Sequence, residues 1–93
     1  MTYATDPEFE DWKARAREAD ILQIAQALGA KIKRSGATEW AGPCPACGGT
    51  DRFSIHTRER VFNCGGARGG DVIAMVEHVH SCEFIAACVF ILN

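Results

Sequence analysis

The chain has 93 residues, five cysteines and a formal net charge of −2, so it is one small domain that apolar burial stabilises only modestly, and an additional staple is expected. Residues 1–6 show no basic-then-apolar signal, and no apolar run approaches the roughly 18 residues of a bilayer span, so the chain reads as cytoplasmic with no membrane partner. In that reducing compartment an odd number of cysteines points to metal binding or core packing and away from disulfides.

From Pro7 to Ala19 the chain is rich in helix formers, with Pro7 suited to a first helical residue and Phe9, Trp12 and Ala16 spaced by three and four. This predicts an N-terminal amphipathic helix within residues 1–19. Asp20 is a good N-cap for a second short helix with Ile21, Ile24, Ala25 and Leu28 as its apolar stripe and Gly29 as its stop. Lys31-Ile32-Lys33 and Thr38-Glu39-Trp40 alternate about the turn pair Ser35-Gly36, which predicts a hairpin with Ile32 and Trp40 turned inward. Pro43 to Gly49 is read as a tight turn that interrupts the strands. A second hairpin follows, Arg52–His56 against Arg60–Asn63, joined by Thr57-Arg58-Glu59. Beyond the glycine-rich stretch from Cys64 to Gly70, Asp71 caps a helix marked by Val72, Ile73, Val76 and Val79. Ser81 is placed to cap a last one carrying Phe84, Ile85, Cys88, Val89 and Leu92. Helices, antiparallel strands, then helices make an α+β fold.

Cys44 and Cys47 form a Cys-x-x-Cys followed by Gly48-Gly49. The glycines permit the backbone turn that lets two thiolates converge on one ion, whereas a redox dithiol needs a helix immediately after the pair. Pairing the second hairpin brings Cys64 beside Phe53, near the Cys44–Cys47 turn, so three sulfurs meet. A structural zinc site takes four ligands, and the usual partner, a cysteine three residues after Cys64, is replaced by Ala67. The fourth position is open among Asp51, His56, Cys82 and Cys88. His56 lies toward the hairpin turn, Asp51 offers oxygen, and the two cysteines fall in the final helical region, where a core role competes.

The run Asp20-Ile21-Leu22 through Gly29-Ala30-Lys31, then Gly42 to Ser54 around the Cys-x-x-Cys, then Phe62-Asn63-Cys64, Gly69-Gly70-Asp71-Val72-Ile73 and Cys82 to Ala87 resembles the zinc-binding domain of DnaG-type DNA primases, particularly those of phages and plasmids. The likeness covers residues 20–88 and marks 20–93 as the corresponding domain. It implies a zinc ribbon, often of the Cys-His-Cys-Cys type, that contacts single-stranded template and helps select where primers start. Nucleotidyl transfer belongs to a separate following domain in that family. Two departures stand out. The second knuckle is one residue shorter than the family's Cys-x-x-Cys form, and the chain ends at Asn93 after the apolar Val89-Phe90-Ile91-Leu92.

Charge is unevenly distributed. Residues 31–70 hold seven basic and three acidic residues, net +4, between flanks of −3 each. Local positive potential attracts phosphate, and rings stack on bases. The expected nucleic-acid contacts are therefore Lys33, Arg34, Arg52, Arg58, Arg60 and Arg68 with Trp40 and Phe53, and Phe62 beside them. The leading functional reading is a non-catalytic, zinc-dependent module that binds single-stranded DNA in primer initiation, with a replicative helicase or primase catalytic domain as protein partner. Two alternatives compete with it: a docking module that uses the apolar tail from Phe84 to Leu92 on a helicase or polymerase, and an inert remnant of a mobile-element primase. Asp51 and Asp71 are isolated carboxylates, and no acidic cluster offers a two-metal transfer site. Incubated with ribonucleotides on single-stranded DNA, the pure chain is expected to make no primer; template-dependent product would contradict this.

Overall fold

The computed structural model describes residues 7–66 and 68–93. Two helices, α1 (Pro7–Arg17) and α2 (Ile21–Ala27), precede five strands, β1 (Lys33–Arg34), β2 (Glu39–Cys44), β3 (Gly48–His56), β4 (Val61–Cys64) and β5 (Arg68–Gly70), and α3 (Val72–His80) and α4 (Phe84–Leu92) follow. Asp20 caps α2 as its chemistry dictates, accepting from the amides of Leu22 and Gln23. Asp71 does the same for α3 through the amide of Ala74. The strands form one antiparallel sheet in sequence order, so the fold is α+β, a small ribbon of strands flanked by helices.

Three local readings are corrected. The Pro43 segment does not interrupt the strand, because β2 runs through it to Cys44 with a register shift between Gly42 and Cys44. β1 pairs only as far as Ala41, so no β1 carbonyl is paired opposite Pro43 to need the N–H that proline lacks, and proline is tolerated at such an irregular edge. Arg68–Gly70, expected as loop, adds a fifth strand against β4. Ser81 closes α3 in the left-handed conformation, with φ 50°, instead of capping α4, whose N-cap position is Glu83.

Alternation along the strands divides the sheet into two faces. Phe53, Ile55, Phe62 and Cys64 are buried and join Val72, Ile73, Met75 and Val76 of α3, Ala87 and Cys88 of α4, Ala16 of α1 and Ile21 and Ala25 of α2 in one core. Trp40, paired with Ile55, lies on that side and packs against the core. The opposite parity leaves the row Lys33, Ala41, Ser54, Asn63, Gly69 across all five strands on the other face. Among the described residues no single helix is long and apolar enough to cross a membrane.

The face assignment makes a direct prediction. Phe53→Ala should cost about 3–5 kcal/mol of stability in urea unfolding of the metal-loaded protein, while its neighbour Ser54→Ala should stay within about 0.5 kcal/mol. Equal losses at the two positions would show the register to be wrong.

Candidate metal centre

Four side chains from three separate parts of the fold converge at one end of the sheet. Cys44 ends β2, Cys47 precedes β3, Cys64 ends β4, and His78 lies in the second half of α3. Their ligand atoms all fall within 4.8 Å of one another. The two hairpin ends meet because Phe53 pairs with Cys64 and Gly42 pairs with Phe53, the register that the alternation of the second hairpin predicts. The turn after Cys47 passes through Gly48 and Gly49 at φ 80° and 82°, a region in which a side chain would be strained. His78 is held by its ring, which stacks on Phe62 at 5.9 Å between centroids.

The Nε2 atom of His78 lies 3.5 Å from both the Cys44 and the Cys47 sulfur. Tetrahedral zinc with bonds of about 2.3 Å to sulfur and about 2.0–2.1 Å to nitrogen separates those atoms by about 3.5 Å. Geometry and donor set, three soft sulfurs and an imidazole, thus fit zinc. The site is built from Cys44, Cys47, Cys64 and His78, and four protein donors leave no open position for water, as in structural and not catalytic zinc sites.

The electrostatics suit the same role. Burial pushes the Cys44 thiol up, but the amides of Cys47 and Ala46 and hydrogen bonds from Cys64 and Cys47 outweigh it and hold the group below its ordinary value. The Ala46 amide donates to that sulfur at 3.4 Å. Cys47 is raised, first by its hydrogen bond to Cys44, then by desolvation and by Cys64. This is the expected behaviour of thiols that must share negative charge until a cation arrives. His78 is lowered by burial and then by the charges of Arg68 and Arg52, so its ring is held neutral, the form a metal requires.

The fourth donor is not among the four candidates that the sequence offers. His56 sits at the opposite end of β3 beside Glu39, 3.4 Å away. Asp51 is exposed on β3 and outside the cluster. Cys82 directs its thiol to the Val76 carbonyl at 3.8 Å, and Cys88 is buried in the core. Ala67 lies outside the described residues. His78 carries one usable signal, its place on the helix directly after the second knuckle, three residues from the buried Met75.

The basic residues do not form one patch. Lys33 and Arg34 lie on the β1 edge, Arg58 and Arg60 at the β3–β4 turn, and Arg52 and Arg68 near the sulfurs. Several are already engaged. Arg34 donates to the carbonyls of Gly36 and Ala37, and Arg60 donates to the Arg17 carbonyl at the end of α1 at 2.8 Å. Phe53 is fully buried and Phe62 nearly so, so neither ring is available to stack on a base, and Trp40 is partly covered on the same face. Their parity on the strands places them with the core.

The chain matches no protein-family model and no curated protein. Among solved structures it is similar to the crystal structure of the Aquifex aeolicus primase (zinc-binding and RNA polymerase domains), with a TM-score of 0.71 and 20% sequence identity over 86% of this chain. It spans only 20% of that chain. At this identity what the two share is the fold.

In competition with a chelator of known affinity, His78→Ala should weaken zinc binding on the order of a hundredfold or more, at or beyond the upper end of what loss of an outer partner costs. Cys82→Ser, His56→Ala and Asp51→Asn should bind as the parent does. Acidification should release the metal, because thiolates and neutral imidazole must reprotonate. Unchanged affinity in His78→Ala would remove it from the site.

Proposed function

We propose that the chain is a primase-type zinc-binding module, residues 20–93 preceded by α1, that holds single-stranded DNA template in the cytoplasm and performs no nucleotidyl transfer by itself. The observation that carries this reading is the likeness of fold to a primase zinc-binding domain at a TM-score of 0.71, together with a closed metal site. Zinc would hold the sheet and α3 together while the face away from the helices meets the strand.

That face suits a nucleic-acid backbone better than stacked bases. Its middle row is Lys33, Ala41, Ser54, Asn63 and Gly69, with no aromatic ring. At the β1 edge a cleft of about 320 Å3 is lined by Lys31, Lys33, Arg34, Ser35 and Thr50, together with one carboxylate, Asp51. Among the described residues neither lysine is in an ion pair, so both ammonium groups are available for phosphate. The likeness to a primase also suggests a catalytic domain or helicase as protein partner. Docking without DNA is the second reading, favoured by Ile85 and Val89, exposed by 51% and 45% one turn apart on α4.

Fluorescence anisotropy with labelled oligo-dT should give micromolar or weaker binding that falls as salt rises. Joint charge reversal, Lys31→Glu with Lys33→Glu, should abolish it, and neutralising either lysine alone should lower the log–log salt slope by about 0.7. Binding indifferent to salt and to both lysines would overturn the reading.

A further inference from the structure

The charge pattern of the sequence assigns Arg52 to DNA, yet its side chain runs along the metal centre. A Cβ built on Gly49 would lie 2.8 Å from the Arg52 Cδ, and one built on Gly65 would lie 2.7 Å from its Nη2. The aliphatic stem therefore lies against the turn after Cys47, and the guanidinium lies against the turn after Cys64. Both glycines have positive φ, 82° and 63°. The Arg52 backbone joins the same arrangement, its carbonyl accepting from the Gly65 amide at 2.7 Å. The guanidinium is thereby set beside Cys64, the residue before that turn, and its positive charge faces the three sulfurs of Cys64, Cys47 and Cys44.

We propose that Arg52 is a positioning residue of the metal centre, its stem laid across the first knuckle and its guanidinium on the Cys64 sulfur of the second. Three thiolates and one divalent ion sum to a charge of −1, and a fixed guanidinium compensates it. An N–H···S bond draws electron density from the thiolate and fixes the direction of its lone pairs. Arginine suits the task because its planar fork keeps several donors in place on a stiff frame, whereas lysine offers a point charge on a flexible stem. The two glycine turns make room for the side chain between the knuckles. This role does not depend on the nucleic-acid reading, and a side chain committed to sulfur is only partly available to phosphate.

The test is metal binding to the full chain, with Arg58→Gln at the far hairpin turn as control. In chelator competition Arg52→Gln should bind zinc about 10–100-fold more weakly, as for loss of other groups that orient metal ligands. With cobalt(II) in place of zinc, its sulfur-to-metal charge-transfer band should shift, a signature that a general loss of stability does not move. Arg52→Lys should restore part of the affinity and lie between the two spectra. If Arg52→Gln fails to fold in excess zinc, Arg52→Lys carries the comparison against the parent protein. Affinity and cobalt spectrum unchanged from the parent, in Arg52→Gln or in the lysine variant that replaces it, would overturn the proposal. Changes equal to those of Arg58→Gln would do the same.

Discussion

Everything in this fold turns on bringing three sulfurs and one ring nitrogen to a single point. They come from the end of β2, the turn before β3, the end of β4 and the second half of α3, so one ion fastens both knuckles of the ribbon to the helix that covers it. Without the ion, three sulfurs, two of them buried, face one another with no cation to join them. A domain this small has a limited core, and metal binding that depends on the folded arrangement adds directly to folding free energy. The core continues the same connection: Phe53, Ile55 and Phe62 of the sheet pack against Val72, Met75 and Val76 of α3, and His78 stacks on Phe62. Apolar packing places the histidine, and the metal then holds the packing.

Much of this is legible in the sequence. The Cys44–Cys47 turn is announced by local chemistry, since glycines readily reach the backbone angles that follow it, and the hairpin register follows from alternation, which sets Cys64 beside Phe53 as the sheet does. Asp20 and Asp71 cap their helices because short carboxylates before apolar runs have few other uses. His78 is not legible in the same way. Ligand spacing rules look for a partner a few residues from Cys64, whereas the one found is fourteen positions on, in a helix whose period reports only apolar residues. Tertiary packing, absent from local pattern, selects it.

The nucleic-acid residues illustrate a second limit. Net charge along a segment says where cations are in sequence, and a sheet then scatters them to its edges and ends. Parity decides the rest. Phe53 and Ile55 are two apart and must share a face, the apolar side chains of α3 claim that face, and the open side is left with small and polar residues and Lys33. Arg34 and Arg60 are occupied by backbone carbonyls, and Arg52 lies against the glycine turns beside Cys47 and Cys64. The cations left for a phosphate chain are thus fewer than the segment charge suggests: Lys31 and Lys33 share the β1 edge, while Arg58 and Arg68 lie apart from them and from each other.

The central claim, a closed site of three sulfurs and one imidazole, is tested most directly by X-ray absorption at the zinc edge of the loaded protein. The account predicts one zinc per chain, with three sulfur neighbours at about 2.3 Å and one nitrogen at about 2.0–2.1 Å showing the outer scattering of an imidazole ring. A first shell with four sulfurs, or with two or more light-atom neighbours, would contradict it.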